Sequence, residues 1–225
     1  MKPIEIDIVS DVVCPWCAVG YAHLNKALDD LQAENIQANI HWRAFELNPY
    51  MGSDGQEINE HLMEKYGSTA EQLAANKQRL VEIGQHAGLN FKFDERSRIY
   101  NTFDCHKLLH WVGELQAESS DHKDLQTALK QALFTAYFTE GQDVSDRTVL
   151  LNVIKTLGLN VEEAERILDS EQVEQAVRSE QKQYQEMGIS AVPTFIINQQ
   201  YLISGGQPVD VFKQALTEIA GKDKQ

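Results

Sequence analysis

Ile4, Ile6 and Ile8 alternate with Glu5 and Asp7 ahead of Val9, and a period of two marks a half-buried strand. That strand ends near Ser10. Tyr21, Leu24, Leu28 and Leu31 then recur at helical spacing, and Pro15 suits a first helical position, so the spacing predicts a helix from there to about Gln32. Ile36 to Phe45, where Ile40 and Trp42 flank His41, predicts a second strand that Asn48-Pro49 breaks.

From Met51 the periodicity turns helical. Ser68-Thr69-Ala70-Glu71 has the spacing of a capping box, with Leu73, Leu80 and Ile83 on one face of the helix behind it. Further helices are predicted at about 102–118, 125–139, 146–157, 162–168 and 171–187, the last stopping at Gly188, a residue type favoured past a helix C-terminus. Thr194–Asn198 and Tyr201–Ser204 are short β-rich runs joined by a predicted hairpin at Asn198-Gln199-Gln200, and a helix over 211–220 closes the chain. The order is β-α-β, a block of helices, then β-β-α. Strands at both ends should share one sheet, since otherwise each leaves unpaired edges, which makes the class α/β. The expected organisation is a discontinuous domain of residues 1–50 and 188–225 with a helical insertion over 51–187, whose last helix, about 171–187, leads back.

A chain of 225 residues with 42% hydrophobic content is ordinary for a globular protein with a real core. Its formal charge of −14, from 20 Lys and Arg against 34 Asp and Glu, repels phosphate backbones and anionic lipid, so neither nucleic acid nor membrane is an expected partner. No apolar run approaches the roughly 20 residues that span a bilayer, and no signal peptide is visible, so a reducing, cytoplasmic setting is expected. Three cysteines do not make a structural disulfide framework.

Two of those cysteines carry the chemistry. Cys14-Pro15-Trp16-Cys17 is a C-x-x-C between a strand and a helix, the context in which the motif reads as redox-active. The unpaired N–H groups and dipole of a helix N-terminus favour negative charge, so Cys14 is expected to be the exposed attacking thiolate and Cys17, a turn further on, the buried resolving thiol. Pro15 stiffens the turn, and Trp16 offers an apolar surface to a substrate. A zinc site needs a second ligand pair, which adjacent Cys105 and His106 do not supply, so no metal is expected. Val192-Pro193 enters a late strand, where a cis proline is tolerated; Pro193 is expected beside Cys14, with the Val192 backbone open to a substrate segment.

On these residues the chain resembles the DsbA-type branch of the thioredoxin superfamily, in particular its cytoplasmic FrnE-like members. Ser10-Asp11-Val12-Val13, Phe45-Glu46-Leu47-Asn48-Pro49, Asn101-Thr102 with His106, and Phe134 through Ser145 carry the likeness along nearly the full length. The resemblance implies a thioredoxin-like fold with a large inserted helical domain. It also implies dithiol–disulfide exchange through Cys14 and Cys17 with Pro193 packed beside them. Without an export signal, a reductase or isomerase of protein disulfides fits better than an oxidase. The expected partners are protein or peptide thiols and disulfides, with no bound cofactor and glutathione as a candidate co-substrate.

Weaker signals complete the picture. Asp11 and Glu46, near the ends of the first two strands, are candidates for relaying a proton to Cys17. Cys105 reads as a packing residue, and His106 and His110 as core or surface histidines. Two other functions share this architecture. Kappa-class transferases and chromene-carboxylate isomerases resemble it but need no resolving thiol, and a chaperone-like peptide binder would use the interdomain cleft.

Overall fold

A computed structural model describes residues 3–118 and 124–222, which leaves the first two and last three residues of the expected discontinuous domain outside the described ones. In chain order the elements are β1 (Ile4–Ser10), α1 (Pro15–Asp30), a 3-10 turn (Gln32–Glu34), β2 (Ala38–Ala44), β3 (Gln56–Glu57), α2 (Ile58–Tyr66), α3 (Ala70–His86) and β4 (Arg98–Ile99). There follow α4 (Phe103–Glu118), α5 (Leu125–Phe138), α6 (Arg147–Thr156), α7 (Val161–Asp169), α8 (Glu171–Glu186), β5 (Thr194–Ile197), β6 (Tyr201–Ser204) and α9 (Val209–Lys222).

The strands from both ends of the chain form one sheet in the order β2-β1-β5-β6, with β1 and β2 parallel and the other pairs antiparallel. Ile8 sits opposite Trp42 on one side and Phe195 on the other. The alternation along β1 assigns its faces. Ile4, Ile6 and Ile8 enter the main core with Leu24, Phe195, Phe212 and Leu216, where the rings of Phe195 and Phe212 meet edge to face at 4.8 Å. Val9 and Ile196 join Tyr184 and Ile189 in a separate apolar cluster, so a different helix, α8, covers that side. Asn198 and Gln199, both at positive φ, make the hairpin turn whose twist suits the paired strands.

Between β2 and β5 the chain runs through α2 to α8, and this helical stretch covers the outer edge of β2. The side-chain amide of Gln126 in α5 does so directly: its Oε1 accepts from the Trp42 N–H at 2.8 Å, and its Nε2 donates to the Trp42 carbonyl at 3.1 Å. Glu180 of α8 accepts from the Ala44 N–H at 2.9 Å. Polar side chains thus take the place of a neighbouring strand and block the edge.

Two expectations are corrected. The second strand spans Ala38–Ala44, not 36–45, because pairing with β1 runs only that far. The segment read as wholly helical also contains β3 and β4, paired antiparallel as Gln56 with Ile99 and Glu57 with Arg98. Two-residue strands show no period; this pair is held by tertiary contacts such as Arg98, whose guanidinium donates to the carbonyls of Asp54 and Gly55 at 2.7 and 3.1 Å.

Candidate active site

The loop after β1 delivers Cys14 to the N-cap of α1, with Pro15 at the first helical position. Cys14 has extended backbone angles (φ −95°, ψ 108°), and its carbonyl accepts from the Cys17 N–H at 3.1 Å, which closes the first turn. Both cysteines are free thiols. The Val192–Pro193 peptide bond is cis, and the Val192 carbonyl lies 3.8 Å from Cys14 Sγ, within reach of a weak S–H hydrogen bond. Trp16, between the two cysteines in sequence, is 37% exposed.

Gly20 lets α1 approach this loop. A Cβ there would stand 3.0 Å from Phe195 Cζ and 3.2 Å from both Pro193 Cγ and Gly206 Cα. The proline loop and the Gly205-Gly206 turn therefore pack directly on the first turns of the helix. A hydrogen bond from Gly205 N–H to the Pro193 carbonyl, at 2.8 Å, ties the two loops together.

The expected contrast in exposure is corrected. Cys14 is 4% exposed and Cys17 0%, so both belong to the core, and the Val192 carbonyl lies against the first sulfur. The two still differ in surroundings. Burial pushes the Cys17 thiol well up, with the neighbouring Cys14 sulfur adding to the effect, so Cys17 is held protonated around neutrality.

Asp11 is fully buried beneath this pair. Its carboxylate accepts from the Leu47 N–H at 2.7 Å and the Val13 N–H at 3.5 Å, and His106 Nε2 is 3.6 Å away. Burial raises an acid, but here His106, the Leu47 N–H and the charge of Lys130 together outweigh it, so Asp11 stays ionised below the usual carboxylate range. Glu46 is placed differently. Its Oε2 accepts from Arg178 and, at 3.1 Å, from Gln181, and Arg178 stacks 3.6 Å above the Phe103 ring. What the structure gives Glu46 is an anchor to α8.

Other residues fall where the sequence expects them or were missed by it. Cys105 is fully buried with Sγ 3.2 Å from the Val144 carbonyl, and His110 lies 3.7 Å from Glu114 in its own helix. Among the described residues no group of His, Cys, Asp and Glu could hold a metal ion. Lys130 escaped the sequence reading. It belongs to the stripe Gln126, Leu129, Lys130, Leu133, Phe134 and Tyr137 on α5, all of it buried, and a lysine breaking an apolar stripe was the available signal. Tyr66, at the end of α2, was missed too; partial burial and the charge of Cys14 both push its phenol up.

Comparison with known proteins fits this geometry. A probable DsbA oxidoreductase of Streptomyces coelicolor is 31% identical, with a TM-score of 0.85 over 97% of this chain and 90% of that one. The uncharacterised Bacillus subtilis protein YwbO is 26% identical over 96% of both chains. The cytosolic disulfide reductase DsbM of Pseudomonas aeruginosa, in a structure with glutathione, shares the fold at a TM-score of 0.62 and 19% identity, covering 96% of this chain and 99% of that one. No helix among the described residues is long and apolar enough to cross a membrane. The chain matches the DSBA-like thioredoxin domain over residues 5–217 and belongs to that family, which supports a role as a thiol–disulfide oxidoreductase.

Proposed function

We propose that the protein reduces or isomerises disulfides of proteins and peptides in the cytoplasm, with Cys14 attacking, Cys17 resolving, and glutathione restoring the dithiol. The observation that carries this reading is the meeting of Cys14 Sγ, at the N-terminus of α1, with the Val192 carbonyl, while Cys17 lies one turn deeper. A substrate strand laid along the Val192–Pro193 loop would pair with that backbone, and its disulfide would meet Cys14 with Trp16 supplying apolar contact.

The exchange runs in two displacements. The Cys14 thiolate, favoured by the helix N-terminus, attacks one sulfur of the substrate, forms a mixed disulfide and expels the other sulfur as a thiolate. Cys17 then loses its proton and attacks Cys14 Sγ, forming the Cys14–Cys17 disulfide and releasing the second substrate sulfur, reduced. Two thiols from glutathione return the pair to the dithiol state and leave as glutathione disulfide. Asp11 is the better placed of the two proton-relay candidates, since its own backbone lies against Cys17, whereas Glu46 is tied through Oε2 to Arg178 and Gln181.

Insulin reduction and refolding of scrambled ribonuclease, each with and without glutathione, test the reading. Wild type should be active in both, Cys14→Ser inactive, and Cys17→Ser inactive as a reductase with mixed disulfides trapped on Cys14. Full activity of Cys17→Ser toward a small electrophile with glutathione, and none toward protein disulfides, would instead indicate a glutathione transferase or isomerase.

A further inference from the structure

Lys130 is fully buried in α5, and its Nζ has no hydrogen-bond partner among the described residues. The nitrogen lies 5.2 Å from the ring centroids of both Trp42 and Phe134, within range of a cation–π contact with each. Lys107 of α4, also buried, instead donates to the Leu168 carbonyl. A buried ammonium without a protein hydrogen-bond acceptor is costly, and favourable charges nearby help to offset the cost.

Those charges come from the elements around the site. Cys17 and Cys14 act on Lys130 from the first turn of α1, Asp11 from the loop after β1, and Cys105 from α4, with His106 standing behind Asp11. Each acidic group favours the cation, whereas burial, the largest influence, pulls the lysine down. The interaction is mutual. Lys130 draws the Cys17 thiol downward against burial and against Cys14.

We propose that Lys130 is a positioning residue for Cys17, whose ammonium stabilises the Cys17 thiolate as it attacks the mixed disulfide on Cys14. The inference rests on the Cys14–Cys17 exchange proposed above and deepens it. In the step, the bond between Cys14 Sγ and the substrate sulfur breaks as the Cys14–Cys17 bond forms. The proton of the Cys17 thiol ends on the departing substrate thiolate, and Lys130 keeps its charge throughout. The Cys17 sulfur is oxidised from thiol to disulfide as the substrate sulfur is reduced from disulfide to thiol, and Cys14 stays at disulfide level. Without the cation, the buried thiol has no charge to support ionisation, and resolution slows.

The experiment uses the full chain in its reduced form, treated with one equivalent of dithiobis(nitrobenzoate). Cys14 releases the first thionitrobenzoate, and Cys17, by displacing the mixed disulfide, releases the second. In Lys130→Met the second release should be slower by about tenfold or more near neutral pH, one pKa unit being a factor of ten in thiolate. The gap should close at strongly alkaline pH, and the first release should change far less. An unchanged second release at every pH, in a variant with native circular dichroism, overturns the proposal; a wild type that releases only one equivalent overturns the redox-pair reading itself. Lys130→Gln serves if methionine is not tolerated. A measurement on wild type needs no variant: in carbon-13-labelled lysine spectra, Lys130 should titrate at lower pH in the oxidised than in the reduced protein, and identical titrations also overturn the proposal.

Discussion

Gln126 hydrogen-bonds both the N–H and the carbonyl of Trp42, so one side-chain amide stands in for a missing strand at the edge of β2. The same Nε2 also donates to the Leu109 carbonyl at 2.9 Å, which joins the sheet, α4 and α5 through one group. Trp42 in turn packs on Tyr21 of α1 with ring centroids 5.1 Å apart. The helical stretch is thereby fixed against the element that carries the cysteines.

Gln126→Leu leaves the N–H and carbonyl of Trp42 buried without partners. Each such group costs about 1–3 kcal/mol, so a loss of about 2–6 kcal/mol is expected. Urea denaturation followed by tryptophan fluorescence measures it. A loss below about 0.5 kcal/mol, the range of ordinary surface substitutions, would show that water replaces the amide.

How much of this was legible in the sequence depends on the range of the interaction. The alternation of Ile4, Ile6 and Ile8 and the C-x-x-C behind them are local patterns, and they located β1, α1 and the cysteines. β3 and β4 are too short to show a period and exist only because Gln56 meets Ile99 across some forty intervening residues. Gln126 and Lys130 lie four apart in an otherwise apolar stripe, which announces that two polar groups are buried without telling what they face. The edge of β2 and the underside of the cysteine pair become their partners only in three dimensions. Asp11 and Glu46 looked alike in sequence for the same reason, and the helices packed around them separate their surroundings.

Asp11 makes acid stability testable. Its folded carboxyl is held below the ordinary value of 3.8, because His106, the Leu47 N–H and Lys130 together outweigh its burial. A group depressed on folding contributes stability that is fully present above its unfolded value and is lost as pH falls through the folded one. Asp11→Asn should therefore be less stable than wild type by about 1–3 kcal/mol near neutrality. The difference should shrink as pH drops below 3.8, where wild-type Asp11 also becomes neutral. Urea midpoints measured for both proteins across that range check it, and a constant difference would assign the loss to packing rather than charge.

Gly20→Ala sets two effects against each other. Alanine is favoured over glycine within a helix by about 1 kcal/mol, whereas filling a tight contact costs about 1–3 kcal/mol. The new methyl would meet the Gly206 backbone at 3.2 Å as well as the Phe195 and Pro193 rings, and backbone yields little, so a net loss of stability is expected. Disulfide reductase turnover should fall with it, since Pro193 and the Gly206 turn are displaced together. A stabilised variant with unchanged turnover would mean that the loop relaxes freely.

The three thiols should separate in their reactivity, because a cysteine reacts as its thiolate and only when a reagent reaches it. Cys14 meets the helix N-terminus and retains 4% exposure, so it should be alkylated first. Cys17 is fully enclosed and pushed well up by burial and by Cys14, so it should follow slowly, and faster as pH rises. Cys105 is also fully buried, its thiol is raised by burial and by Asp11, and its sulfur is directed at the Val144 carbonyl. It should stay unmodified until the chain unfolds. Iodoacetamide labelling over time, read by peptide mass spectrometry, gives the order directly. Cys105→Ala should keep disulfide-exchange turnover near wild type and cost about 1 kcal/mol of stability, as buried substitutions commonly do. If Cys105 were labelled as fast as Cys14 in the folded protein, or its alanine variant lost most turnover while remaining folded, the third cysteine would belong to the redox site and not to the packing of α4.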